Sequence, residues 1–242
     1  MPRKPKNTAI STIFTIIVIA AVIWMKVNET KDSQKREGSF RDESVEITLP
    51  EDMKEKAVSE LLTPVSLSSS KFEVIENCQL IEHRGNDGDS FHLSTPKGKE
   101  EVRLYYVDAP ESAARTYGDG DNNHKRISEQ GAAMGGLNQH QTTQVGVAAK
   151  AFTKKLLAGK KITLATTREK VYRSRRIYAY VIVNWEGEER YLHELLVSFG
   201  LGRIHTKPMT LPDNTSATRQ KERLRKLQAY AKSKDYGAWG VR

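Results

Sequence analysis

The 242-residue chain has a single cysteine, Cys78, and so cannot close an internal disulfide. Cysteine usage therefore allows an oxidising compartment without supporting one, and Cys78 itself reads as a core residue on a strand. Aromatic residues are few, at 7%, yet 38% of the chain is hydrophobic, which is enough for one ordinary core. A wholly disordered chain is excluded, and 29% charged residues exclude a polytopic membrane protein. Histidines at metal-ligand spacing are also missing: no second histidine follows His193-Glu194 at the right distance, so that dipeptide reads as a packing and hydrogen-bonding pair on a helix.

Acidic residues are absent from the first 26 positions, which hold four basic ones. Residues 27–70 hold six basic and ten acidic residues, and residues 71–242 hold 29 basic and 20 acidic. The net +9 of the whole chain is thus matched by its C-terminal part, because the first 70 residues cancel. A positive balance suits a polyanionic partner, and any basic binding face belongs in residues 71–242.

Between Lys6 and Lys26 lie 19 uncharged residues, Asn7 to Met25, most strongly apolar from Ile13 to Trp24. At a rise of about 1.5 Å per residue, a helix of that length nearly crosses a hydrocarbon core of about 30 Å. Arg3, Lys4 and Lys6 precede it, a bias that keeps the N-terminus cytoplasmic and sends the rest of the chain across. Residues 1–26 are therefore expected to form one N-terminal transmembrane helix that anchors an exported domain. A signal peptide is the competing reading, with a secreted product if it is cleaved, but the flank Trp24-Met25-Lys26-Val27-Asn28 offers no small-x-small site. Residues 27–70, charged and Ser-rich, read as a polar linker with a short amphipathic piece near Met53 to Leu62.

From Lys71 the periodicity changes to that of half-buried strands, through Phe72, Val74, Cys78 and Leu80, then Phe91 and Leu93, then Val102, Leu104 and Tyr106. Val145, Ala148, Phe152 and Leu156 recur at helical spacing before Gly159. Strand spacing returns around Ile162 and from Ile177 to Val183, and two further helices are expected, one through Leu192 to Phe199 and one over about Thr215 to Lys232. Short strands interrupted by a helix, with helices afterwards, predict an α+β fold around a small barrel.

Three clusters carry candidate chemistry. Asp87-Gly88-Asp89-Ser90 sits at a hinge between strands, where Asp-Gly is equally a hairpin signal. Asp108-Ala109-Pro110-Glu111 ends the strand that begins near Arg103, placing two carboxylates and a backbone carbonyl at its tip. Hard oxygen donors of this kind suit Ca²⁺ or Mg²⁺. Tyr172-Arg173-Ser174-Arg175-Arg176 opens the strand Ile177 to Val183, and its guanidinium groups could grip a phosphodiester bidentately.

In this order the clusters resemble the staphylococcal nuclease (thermonuclease) family. The resemblance rests on an Asp-Gly-Asp-Ser turn at 87–90, Arg103 five residues before Asp108-Ala109-Pro110-Glu111, the helix Ala151 to Leu157, Arg176 three residues before Ala179-Tyr180, and Gly200-Leu201-Gly202. It covers residues 71–242 and implies a five-stranded OB-like barrel with about three helices. It also implies a monomeric Ca²⁺-dependent phosphodiesterase on DNA and RNA that leaves 3′-phosphate ends. Carried over, Asp89 and Asp108 would ligate Ca²⁺ with the Ala109 carbonyl, Glu111 would orient or deprotonate the attacking water, and Arg103 and Arg176 would hold the scissile phosphate. Degenerate family members give the alternative, a non-catalytic nucleic-acid-binding OB module.

The chain departs from the family pattern in five places, one of them Ser174-Arg175, where Tyr-Gly usually precedes the arginine. Ser90 and Ala109 stand where threonine is usual, and the stretch after Gly-Leu, Arg203-Ile204-His205-Thr206-Lys207, lacks the family's nucleotide-packing tyrosines. Ser112 to Gln144 is a long insertion directly after Glu111. Within it Asp119-Gly120-Asp121 begins like a calcium loop, but His124 and Gln130 stand where such a loop needs Gly and Glu.

Overall fold

The computed structural model describes residues 45–50, 56–118 and 120–241. The apolar stretch from Asn7 to Met25 lies outside them, and among the described residues no helix is long and apolar enough to cross a membrane.

Five strands close a barrel. β1 (Glu73–Leu80), β2 (Ser90–Thr95) and β3 (Gly98–Leu104) form an antiparallel meander. β1 also pairs with β5 (Ile162–Thr166), and β5 with β6 (Ile177–Trp185), both antiparallel. The barrel shuts where β3 and β6 run parallel, with Val102 opposite Ile177 and Leu104 opposite Ala179. Alternation in these strands sends Phe91, Leu93, Val102, Leu104 and Leu164 inward, each essentially without exposure. Cys78, equally buried, follows a bulge in β1 at which Asn77 takes φ 57°. An extra residue there sharpens the twist that a small barrel needs.

β7 (Glu188–Tyr191) extends β6 past a turn at Glu186-Gly187 and leads into α4 (Leu192–Ser198); elsewhere β4 (Val107–Asp108) pairs with β8 (Arg203–Ile204) in a separate two-stranded ladder. The helices are α1 (Lys56–Leu61), α2 (His124–Ala133), α3 (Gln139–Leu157), α4 and α5 (Ala217–Ser233), and a 3₁₀ turn follows at Gly237–Trp239. Where about three helices are expected in residues 71–242, the described residues there hold four; the added one is α2, which lies in the polar insertion with Ile127 as its buried apolar residue and shows no sustained stripe. α1 falls within the short amphipathic piece expected near Met53 to Leu62.

α3 starts at a capping box. The Asn138 side chain accepts from Gln141 N–H at 2.9 Å, and the Gln141 side chain accepts from Asn138 N–H at 3.0 Å. Its buried face, including Val145, Ala149, Phe152 and Leu156, lies against the barrel, and the Thr153 hydroxyl donates to the Gly88 carbonyl at 2.7 Å. α3 therefore fixes the Asp87–Ser90 turn.

The packed body reaches back before residue 71. Val58 and Leu62 are buried, Ser69 N–H donates to the Pro212 carbonyl, and Gly237 N–H donates to the Thr48 carbonyl. Glu194 on α4, buried, accepts from Thr63 N–H at 2.8 Å, from the Thr63 hydroxyl at 2.6 Å and from Gln220 Nε2 at 2.6 Å. His193 beside it lies 3.0 Å from the same Gln220 nitrogen and stacks on Tyr106. The His-Glu pair is a core network that ties segment 56–70 to α5.

Candidate active site

Arg103 is the last residue but one of β3, and Asp108 ends β4. Between them the chain reverses at Tyr106, whose φ of 67° lies in the left-handed region, and a three-residue turn closes by Val107 N–H donating to the Tyr105 carbonyl at 2.9 Å. Such a φ is costly for a bulky side chain and persists only where the surroundings enforce it. Here Tyr106 is fully buried, its N–H donates to the Lys207 carbonyl, its own carbonyl accepts from His205 and Thr206, and its hydroxyl donates to the Met209 carbonyl. The turn folds Asp108 back over Arg103, and Arg103 Nη2 reaches Asp108 Oδ1 at 2.6 Å and Asp89 Oδ2 at 3.2 Å.

Asp89 and Asp108 are both buried and are joined by this one guanidinium. Asp89 Oδ2 also accepts from Ala109 N–H at 2.7 Å, and Oδ1 from the Ser90 hydroxyl at 3.0 Å. Asp108 is held more completely. Its Oδ1 also accepts from Arg126 Nη2 at 2.6 Å, while Oδ2 accepts from Arg203 Nε at 2.8 Å and Gln130 Nε2 at 3.1 Å. Burial pushes the Asp108 carboxyl up, but Arg126 and Arg103, then Gln130 and Arg203, outweigh it and leave the group below its ordinary range. For Asp89 burial wins and raises it, Asp108 adds to the rise, and Arg103 opposes it. Of the two, Asp108 is the more firmly ionised.

Glu111 leaves the strand tip beyond Pro110. Its Oε1 accepts from Arg126 Nε at 2.8 Å, its Oε2 lies 3.4 Å from Asn123 Nδ2, and its N–H donates to Gln130 Oε1 at 3.0 Å. α3 crosses it at Gly146, and Gly88 packs between Ala109 and Ala149, where a β-carbon would lie 2.8 Å from each methyl. Arg176, at the mouth of β6, points Nη1 at the Ser90 hydroxyl from 3.4 Å, and Arg103 Nη1 meets that same oxygen at 3.2 Å. Arg103, Glu111, Arg176, Asp89 and Ala109 all line one polar pocket of about 170 Å³, together with Asp87, Arg84, Arg115, Lys150 and Tyr117. Asp108 lies beneath it, fully buried. Arg173 and Arg175 are not among the lining residues.

Arg126, Gln130 and Arg203 are working members of this cluster that the motifs do not contain. Arg126 and Gln130 are four residues apart on one face of α2, a polar pair facing inward from a helix that the insertion's composition conceals. Arg203 stands directly opposite Asp108 in the β4–β8 ladder. It occupies the stretch in which the family's tyrosines are missing, and the aromatic ring at the pocket is instead Tyr117 of the insertion, half exposed.

A family model described as staphylococcal nuclease homologue matches residues 101–241. The chain belongs to the staphylococcal nuclease family. Membership and the closed five-stranded OB-like barrel point to a nuclease or another nucleic-acid-binding protein. The match takes in Arg103, Asp108, Ala109, Glu111 and Arg176 and begins after the Asp87–Ser90 turn, which the fold supplies by pairing Ser90 with Arg103 across β2 and β3. No curated protein matches the chain.

This family's members are generally Ca²⁺-dependent. Among the described residues no three carboxylate, histidine or cysteine groups converge as a ready cage. The donor chemistry nevertheless fits a hard divalent ion at the pocket. Asp87 Oδ1 is buried there with no hydrogen-bond partner, and burial, then Asp89 and Glu111, push the Asp87 carboxyl up to about 7. A buried carboxylate oxygen without a donor is an acceptor that a cation can take up, and the Lys150 charge offsets the rise only in part. On the other side, the oxygens of Asp108 and the Ala109 carbonyl, which accepts from Gln130 Nε2 at 3.0 Å, are already engaged by protein donors.

Proposed function

We propose that this chain is a Ca²⁺-dependent endonuclease that hydrolyses phosphodiester bonds of DNA or RNA and leaves 3′-phosphate ends. The observation that carries the reading is the convergence of Arg103 and Arg176 on Ser90 in the pocket that also holds Glu111 and Asp89. Two guanidinium groups steered by one hydroxyl present a fork to the non-bridging oxygens of a phosphodiester. As the attacking oxygen approaches, charge grows on those oxygens, and donors already in place stabilise it without reorganising. Glu111 stands in the same pocket, able to orient a water and take its proton. Asp89, Asp108 and the Ala109 carbonyl would hold the Ca²⁺, with Asp87 beside them; when bound, the ion polarises a phosphoryl oxygen and eases deprotonation of a water. Arg84, Arg115 and Lys150 widen the cationic rim along which a nucleic-acid backbone would lie. A purely binding OB module has no need for this full set of acids and guanidiniums.

The apolar segment Asn7 to Met25, with Arg3, Lys4 and Lys6 before it, supports an enzyme tethered to a membrane with its catalytic body on the exported side. The decisive assay incubates the purified full chain in detergent with single- and double-stranded DNA and RNA, with Ca²⁺ or with chelator. Ca²⁺-dependent cleavage with 3′-phosphate ends is expected, and retention of nucleic acid without cleavage would establish the binding module instead. Protease added to intact cells should digest the body, whereas protection would reverse the orientation.

A further inference from the structure

We propose that Arg126 is a displaceable counter-ion that competes with the divalent cation for Asp108 and covers Glu111 until it is displaced; the inference rests on the calcium-dependent reading above. Arg126 is the third residue of α2 and bridges two acids at once, with Nη2 2.6 Å from Asp108 Oδ1 and Nε 2.8 Å from Glu111 Oε1. These oxygens belong to a proposed ligand and to the proposed base. A guanidinium in contact with both repels an incoming dication and blocks its access to the Asp108 lone pairs.

The three arginines on Asp108 are not equivalent. The side chains of Arg103 and Arg203 are 11% and 10% exposed, whereas that of Arg126 is 40% exposed. Arg103 is pinned between two aspartates, and Arg203 also donates to the Glu129 carbonyl at 3.0 Å. Arg126 alone of the three can swing into water without dragging a strand. Its departure leaves Asp108 with Arg103, Arg203 and Gln130, so the carboxylate is not stranded.

Release of Arg126 has two consequences for the reaction. It uncovers Glu111 Oε1, which Arg126 Nε holds at 2.8 Å, so arrival of the cation at Asp108 and exposure of Glu111 to a water become one event. It also sets a mobile guanidinium loose beside Arg103 and Arg176, where a phosphate can take it up. Arg126 is in this sense a positioning residue supplied by the insertion.

Isothermal titration of the full chain in detergent with Ca²⁺ alone, without nucleic acid, tests this directly. Arg126→Gln should bind Ca²⁺ more tightly than the unaltered chain, by roughly tenfold, the scale on which groups around metal ligands tune affinity. Arg126→Lys keeps the charge but cannot bridge both acids, so it should tighten binding by a smaller factor; it carries the test if Arg126→Gln fails to melt cooperatively by circular dichroism. Equal or weaker binding by the variants overturns the inference and leaves the calcium reading standing. No Ca²⁺ binding by any of the proteins overturns both.

Discussion

Gly146 on α3 passes so close to Glu111 that a β-carbon there would lie 2.4 Å from the Glu111 carbonyl oxygen and 2.6 Å from that of Pro110. Both obstacles are backbone, so the contact cannot be relieved by turning a side chain. Gly146→Ala must therefore push the Pro110–Glu111 segment off α3. Misplacement of a catalytic group by about 1 Å costs on the order of 10²-fold in rate. Steady-state kinetics of the variant should show that loss chiefly in kcat, together with a lowered Tm.

Arg103 and Arg176 should separate in their effects on stability. Either change to Ala is expected to lower kcat by about 10²-fold, as removal of a preorganised donor does elsewhere. Only Arg103→Ala takes from buried Asp89 its guanidinium partner, while Asp108 keeps Arg126, Arg203 and Gln130, and breaking such a buried pair costs about 3–5 kcal/mol. Arg176 is more exposed, and apart from long contacts with the Ser90 and Ser174 hydroxyls its ion pair is a 3.9 Å approach to Glu101. Urea unfolding of the two variants should place the midpoint well below the parent for Arg103→Ala and close to it for Arg176→Ala.

His193 sets part of the acid stability. Burial holds its imidazole down to about 3 from an ordinary 6.5, so the folded protein keeps it neutral where the unfolded chain would protonate it. The unfolded state thus binds the extra proton between those two values, and stability present above pH 6.5 is lost as pH falls towards 3. The slope approaches about 1.4 kcal/mol per pH unit for one such group. Urea titrations at pH 7, 5.5 and 4.5 should show a steeper decline for the parent than for His193→Gln, which has no proton to gain.

Thr63 satisfies buried Glu194 with two hydrogen bonds from outside the barrel. A chain shortened to residues 71–242 loses both, along with the burial of Val58 and Leu62. Leaving a buried acceptor short of donors costs about 1–3 kcal/mol. Thermal melts should therefore rank a chain beginning at residue 45 above one beginning at 71.

The legible part of the site is the local part. Arg103, Asp108 and Glu111 fall within nine residues of sequence, so the family-like motif marks them together, although it is the turn at Tyr106 that brings Asp108 onto Arg103. Arg176 was separable from Arg173 and Arg175 by its distance to Ala179-Tyr180, and it is the one of the three that lines the pocket. Arg203 and Arg126 could not be read in this way, because each meets Asp108 only through tertiary packing. One arrives by a ladder between two-residue strands, too short to show alternation, and the other by a polar helix with a single buried apolar side chain. Tyr106 was equally hidden: it continues the apolar alternation of β3, yet its left-handed turn ends the strand. In segment 56–70 the amphipathic piece near Met53 to Leu62 is legible and carries Val58 and Leu62, whereas nothing in the Ser-rich composition reveals that Thr63 docks on Glu194.

Asp108 and its partner Arg203 are separated by 95 residues of chain, and β3 cannot close on β6 until residue 177 and beyond have been made. A ribosome therefore emits every carboxylate of the cluster long before the last guanidinium that neutralises it. The growing polypeptide carries the acids without the barrel that aims them, and cannot assemble the pocket piecemeal. For a chain whose proposed substrate is nucleic acid, such late completion would keep its chemistry silent until synthesis is nearly finished.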